Sequence, residues 1–148
     1  MSANRPGLPA PTFSIQSEGY WRAAGDGRLA LQRCSSCGAH RHPPTAACYR
    51  CQSLEWRYED HPGTGTVFTY TWVEHPVHPA TADYVPYNVA VVELDGTDGD
   101  PVRIVTAVLG VDRDSLVVGL PVSVAFDPTG DGLALPVFRP QAARASER

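Results

Sequence analysis

A chain of 148 residues holds one ordinary domain, or a small metal module joined to a compact second unit, and a second full-sized core does not fit. Apolar residues make up 43% and charged residues 19%, with 13 Gly and 14 Pro, so a turn-rich, mainly β globular fold is expected. The formal charge of −4 argues against a nucleic-acid binder, and the longest apolar runs, residues 89–92 and 104–110, fall far short of the roughly 20 residues a bilayer needs.

The opening stretch MSANRPGLPAP lacks the apolar core of a secretory signal, so a cytoplasmic setting and reduced cysteines are expected. Residues 1–13 read as an extended arm. A short helix is expected over residues 14–24, capped by Ser14 or Ser17, with Ile15, Tyr20, Trp21 and Ala24 as its apolar face and Gly25 as its stop. Gly19 weakens that helix, and so short an element needs a surface to pack on, in this chain or in a partner. Together these segments form the expected N-terminal unit, residues 1–27.

Residues 28–60 read as one closed metal module. Leu29, Leu31 and Arg33 alternate into the first cysteine pair, GAHRHPPTAA reads as a loop, and Leu54, Trp56 and Tyr58 alternate along a return strand. Residues 61–140 then carry five strand signals, at 65–74, 87–94, 102–109, 121–126 and 133–138, which is the strand count of an OB-type barrel. In the first of these, Val67, Thr69, Thr71 and Val73 fall on one face and Phe68, Tyr70 and Trp72 on the other. Residues 141–148 read as a disordered tail.

Cys34-Ser-Ser-Cys37-Gly38 and Cys48-Tyr-Arg-Cys51 form two CxxC pairs ten residues apart. Two thiolates at this spacing reach one metal, and a second pair completes a tetrahedron. Gly38 relieves the tight turn behind the first pair. A dithiol redox centre, two disulfides and an iron site of rubredoxin type compete with zinc; the duplicated pair and a reducing compartment favour zinc. Four protein ligands leave zinc no open position, so the site is expected to be structural.

His40 and His42 are expected at the surface beside Pro43 and Pro44, and His75 and His78 in a loop near the barrel mouth, because Pro76 and Pro79 rule out a helical ligand pair. Asp95, Asp98 and Asp100 sit among turn residues and miss the EF-hand spacing. No GxSxG elbow, Lys-ended phosphate loop or spare cysteine stands in the sequence, so no catalytic residue is assigned. Charge is segregated: residues 22–57 carry six Arg against Asp26 and Glu55, whereas residues 58–148 carry 13 acids against five Arg. The aromatic run at Phe68, Tyr70 and Trp72 is core, a protein-docking face, or a base-stacking platform, the last opposed by the acidic surroundings.

Over roughly residues 14–139 the chain resembles the acyl-CoA-associated zinc-ribbon and OB-fold proteins of domain-of-unknown-function family thirty-five. The resemblance rests on Tyr20-Trp21, residues 29–33 before the first knuckle, Pro43-Pro44 before the second, Gly63-Thr-Gly65-Thr-Val67, VAVVELD at 89–95, and Gly119-Leu-Pro-Val122. Tyr49 departs from the Pro expected inside the second knuckle. The resemblance implies a rubredoxin-like zinc ribbon held by Cys34, Cys37, Cys48 and Cys51, then a five-stranded OB-fold barrel. It also implies a non-catalytic accessory subunit of a thiolase-like enzyme, of thiolase, acyltransferase or steroid side-chain aldolase type, with helix and ribbon against the enzyme and the barrel walling an acyl-CoA channel. Arg22, Arg33 and Arg41 are the candidate CoA contacts, since guanidinium binds phosphate in a planar fork. A single-stranded nucleic-acid module is the alternative.

Overall fold

The computed structural model describes residues 7–129 and 131–142, so much of the expected arm and most of the expected tail lie outside the described residues. Helix α1 (Glu18–Gly25) leads into an antiparallel sheet of β1 (Leu29–Cys34), β2 (His40–Arg41) and β3 (Trp56–His61), ordered β2-β1-β3. A five-stranded sheet follows, made of β4 (Thr64–Val73), β5 (Tyr87–Leu94), β6 (Arg103–Thr106), β7 (Pro121–Pro128) and β8 (Ala134–Pro140), ordered β6-β5-β4-β7-β8. This sheet curls until its ends meet. Just past β6, Leu109 N–H donates to Phe138 O at 2.8 Å and Phe138 N–H donates to Ala107 O at 3.0 Å, around a parallel bridge of Val108 with Phe138. The closure gives the expected OB-like barrel and pairs its two edges at this one point.

The expected helix starts later, because Ser14 and Ser17 bond to each other: their hydroxyls lie 3.2 Å apart, and Ser17 caps no helical N–H. Ile15 is 80% exposed and leaves the expected apolar face, which is built from Tyr20, Ala23 and Ala24. Gly19 has a packing reason. A Cβ there would stand 2.5 Å from ring carbons of Tyr58, whose hydroxyl donates to Gln16 O, so only glycine admits the strand aromatic over the helix.

The aromatic strand departs from its expected alternation. Val67 pairs with Val92 but Thr69 pairs with Val91, so Phe68 is an inserted bulge residue. The bulge reverses the faces beyond it, putting Val67, Tyr70 and Trp72 on the core side, while Phe68 stands 45% exposed under the Arg103 guanidinium at 3.8 Å. A base-stacking row of all three rings is thereby dismantled.

Val67, Val92, Leu94, Ile104, Val122 and Phe138 fill the barrel, in one cluster with Leu29 and Leu31 of β1 and Tyr20 of α1. Each such aliphatic or aromatic side chain contributes about 1.5–3 kcal/mol by leaving water. Leu116, fully buried, enters this cluster from the β6–β7 connection. Asn88, 8% exposed, stands in for a strand where the sheet runs out: its Nδ2 donates to Val108 O and its Oδ1 accepts from Val108 N–H, both at 2.8 Å. Replacing Asn88 by Ala leaves both backbone groups of buried Val108 without these partners. Urea unfolding of Asn88→Ala is expected to show a loss of about 2 kcal/mol.

Candidate metal centre

The two CxxC loops have the same backbone. Gly38 N–H donates to Cys34 O at 3.0 Å and Cys34 N–H to Ala39 O at 2.9 Å; in the second loop Gln52 N–H donates to Cys48 O and Cys48 N–H to Ser53 O, both at 2.9 Å. In each, the residue after the second cysteine has a left-handed backbone, Gly38 at φ 77° and Gln52 at φ 60°. Glycine takes that conformation freely, whereas a side chain at Gln52 costs on the order of 1 kcal/mol. The first cysteine of each loop is buried, Cys34 at 0% and Cys48 at 1% exposure, and the second faces outward.

All four sulfurs lie within 4.8 Å of one another, with Cys34 to Cys51 and Cys37 to Cys48 each at 3.6 Å. A regular tetrahedron with Zn–S bonds of about 2.3 Å has sulfurs about 3.8 Å apart, so the donor set fits zinc. The backbone amide of Cys37, with smaller help from that of Ser36, pulls the Cys34 thiol down to about 6. The amide of Cys51 likewise lowers Cys48. Amides aimed at the Cys34 and Cys48 sulfurs therefore favour thiolate there, the form a metal binds, whereas against the pull of the Ser53 amide, burial and the neighbouring cysteines push the Cys51 thiol up to about 11. When bound, zinc in this set is a closed four-coordinate crosslink with no site for water.

His40 is buried and His42 half-buried where both were expected at the surface, and the segment read as a loop contains β2. His40, 6% exposed, accepts from Asp98 N–H at Nδ1 over 2.9 Å and brings Nε2 to 3.4 Å from Glu59. His42 lies against the Tyr20 ring, centroids 5.0 Å apart, and burial pushes its imidazole down to about 4, so it is neutral at pH 7. His78, in the β4–β5 connection, caps a short 3-10 turn by accepting from Ala80 N–H at 3.1 Å.

The three candidate arginines do not form one cluster. Arg33 pairs across the sheet with His40, and Gln32 with Arg41, so Arg33 and Arg41 project to opposite faces. Arg33 donates from Nε to Gly38 O at 3.0 Å, from Nη1 to both Glu59 oxygens at 2.8 Å, and from Nη2 to Asp98 at 2.6 Å. The Glu59 hydrogen bond, ahead of other causes, raises Arg33 and in return lowers Glu59. Arg41, 5% exposed, donates to Gln32 Oε1 at 2.6 Å and to Thr45 O at 3.1 Å. Arg22 projects into solvent, 75% exposed, beside Glu18.

Glu59, Asp98 and the hydroxyl of Tyr49, which accepts from Asp100 N–H at 2.8 Å, are the participants that sequence reasoning missed. Their partners lie far off in sequence, and the local signal was limited to Tyr49 in place of the expected Pro. Gln52 was missed too, although its position matches Gly38 when the knuckles are aligned.

The zinc-loaded protein is expected to give one equivalent of zinc per chain by elemental analysis, and Cys48→Ser to lose it. Acidification is expected to release the metal as protons displace it from the thiolates. Gln52→Gly is expected to keep zinc and gain about 0.5–1 kcal/mol in thermal unfolding.

Residues 21–57 match the family model described as ChsH2, rubredoxin-like zinc ribbon domain, and residues 58–127 match that of the ChsH2, C-terminal OB-fold domain. A solved structure described as an Ltp2-ChsH2(DUF35) aldolase contains a chain 37% identical to this one, with a TM-score of 0.78 over 88% of this chain and 98% of that one. A probable enoyl-CoA hydratase alpha subunit of Thermomonospora curvata is 39% identical over 132 residues; the match takes in 89% of this chain but 40% of that relative's length. A DUF35-family protein of unknown function from Sulfolobus solfataricus, 14% identical with a TM-score of 0.59 over 86% of this chain and 87% of its own, shares the fold. Matching both models in order, and nearly the whole of a ChsH2-type chain, this protein belongs to the ChsH2 family of zinc-ribbon and OB-fold proteins.

Proposed function

We propose that the chain is a non-catalytic accessory subunit that binds a thiolase-like enzyme in the cytoplasm and helps form its acyl-CoA channel. The observation that carries this reading is the near full-length likeness to the chain in the Ltp2-ChsH2(DUF35) aldolase, an assembly of two kinds of subunit by its description. The relative described as an enoyl-CoA hydratase alpha subunit adds an acyl-CoA setting. The four thiols of the chain converge on one metal point, which leaves no cysteine as a nucleophile and supports a scaffold over a catalyst.

The helix and ribbon supply a fitting contact face. Phe13 at 49%, Ile15 at 80% and Leu54 at 68% are exposed apolar side chains, and Ile15 lines a groove of about 420 Å³ with Glu18, Gly19, Arg22, Trp56 and Tyr58. Apolar anchors around aromatic walls are the composition of a protein interface core. Arg22 stands at this groove largely in solvent, its Nη2 on the exposed Glu18 carboxylate at 2.6 Å, and is our choice for a CoA phosphate contact. Arg33 commits its donors inside the chain, and Arg41 places Nε and Nη2 on internal acceptors while its buried Nη1 has no partner; the internal bonds favour a framework role for both. The inward turn of Tyr70 and Trp72 disfavours the single-stranded nucleic-acid alternative.

Co-expression with a thiolase-like subunit of the Ltp2 kind is expected to yield a stable complex. Ile15→Asp should weaken that complex at least tenfold with zinc content unchanged, as expected for truncation of an apolar interface anchor. Equal affinity of Ile15→Asp and the parent chain would place the interface elsewhere.

A further inference from the structure

Besides the shared apolar core, one loop, residues 95–101 between β5 and β6, clamps the barrel to both cysteine knuckles. At the first knuckle, His40 N–H donates to Asp98 O at 2.8 Å and Asp98 N–H returns to His40 Nδ1 at 2.9 Å. Arg33 completes that contact: its Nε holds the knuckle carbonyl of Gly38 at 3.0 Å while its Nη2 holds the Asp98 carboxylate at 2.6 Å. At the second knuckle, Tyr49, between Cys48 and Cys51, accepts from Asp100 N–H at 2.8 Å. Gly99, between those two anchors, has φ +93°, and a Cβ there would stand 2.5 Å from the Tyr49 oxygen and 3.1 Å from Ala39 Cβ, so the loop backbone is pressed onto the knuckles.

We propose that metal occupancy of the four-cysteine site governs the order of this barrel loop, and that the loop in turn helps retain the metal. Tyr49 sits in residues 42–55, a stretch without a strand. Apart from the thiolates, the second knuckle is tied to the first region through Ser35 N–H to Glu55 O at 3.0 Å and Ser36 Oγ to Ser53 Oγ at 2.8 Å, and the segment entering it is held at Thr45 by Gln32 and Arg41. A bound metal sets the distance between the knuckles, and with it the distance between Tyr49 and the His40–Arg33 pair that grips Asp98. If the knuckles separate, one loop cannot satisfy both anchors.

Charge makes the clamp responsive. Asp95, Asp98 and Asp100 stand close along the loop, and Arg33 is the guanidinium paired to Asp98, so undocking exposes like charges to one another. The base of the loop is held separately: His61 Nδ1 accepts from Gly63 N–H at 2.9 Å, so its Nε2–H donates to Asp95 O at 2.6 Å. Asp95 therefore stays anchored while residues 98–100 respond to the knuckles. Because coupling between two sites is reciprocal, contacts made by Asp98 and Tyr49 hold zinc to the degree that zinc holds them.

The test uses the full chain, zinc-loaded and chelator-stripped, with Asp98→Ala and Tyr49→Phe, neither of which removes a ligand sulfur. Hydrogen exchange read by mass spectrometry is expected to show residues 98–102 deprotected in the stripped protein, with β7 and β8 still protected. In zinc-loaded Tyr49→Phe, the same peptide is expected to exchange faster with one zinc per chain retained. Transfer of zinc to a chromophoric chelator is expected to be about tenfold faster from Asp98→Ala than from the parent chain, within the usual range of coupling between sites. Equal loop protection in loaded and stripped protein would overturn the proposal. If stripping melts the barrel as well, the variants decide: parental zinc-transfer rates in both would overturn it, and faster transfer would support it.

Discussion

Two short cysteine loops, too poor in regular structure to hold a position alone, converge on one point, and the arrangement of the N-terminal half follows from that convergence. The loops have matching hydrogen bonds and matching left-handed residues, so each presents its sulfurs and amides in the same way. One is carried by β1 and β2; the other hangs in a stretch with no strand. Four thiolates around a single cation supply the crosslink that hydrophobic burial cannot supply in so small a unit. The second knuckle keeps Gln52 in a conformation suited to glycine, a local strain that the closed site tolerates.

From this point the structure builds outward in two directions. One face of the ribbon sheet carries Arg33, His40 and Glu59 toward the acidic loop of the barrel, and the other carries Gln32, Arg41 and Tyr58 toward the helix. The charge segregation between the two halves of the chain becomes contact at Arg33, where a basic ribbon meets an acidic barrel loop. Beneath it, Leu29 and Leu31 join the barrel core, so helix, ribbon and barrel act as one body. A chain built this way presents a preorganised surface, which lowers the ordering cost of any association it makes.

Much of this was legible in the sequence, because the signals were local. Cysteine spacing named the donor set, and alternating apolar residues located the five barrel strands to within a few residues of their observed ends. What failed depended on partners distant along the chain. The bulge at Phe68 leaves no mark in the sequence alternation, yet it reverses which side chains beyond it face the core. His40 and His42 look like surface residues beside prolines until Asp98 and Tyr20 are seen to cover them. Gly19 reads as a helix defect until Tyr58 arrives from 39 positions away to lie over it. Arg33 and Arg41 look alike as free cations, and it is strand register that sends them to opposite faces and into internal bonds.

The central claim is that a metal-held ribbon forms the face on which a thiolase-like subunit docks. Its most direct test is calorimetric titration of that subunit with the chain in two states, chelator-stripped and reloaded with one equivalent of zinc. The account predicts saturable one-to-one binding by the reloaded chain and no measurable binding by the stripped chain, with affinity restored on adding zinc back. Equal affinity in the two states would contradict it and would move the docking face off the ribbon.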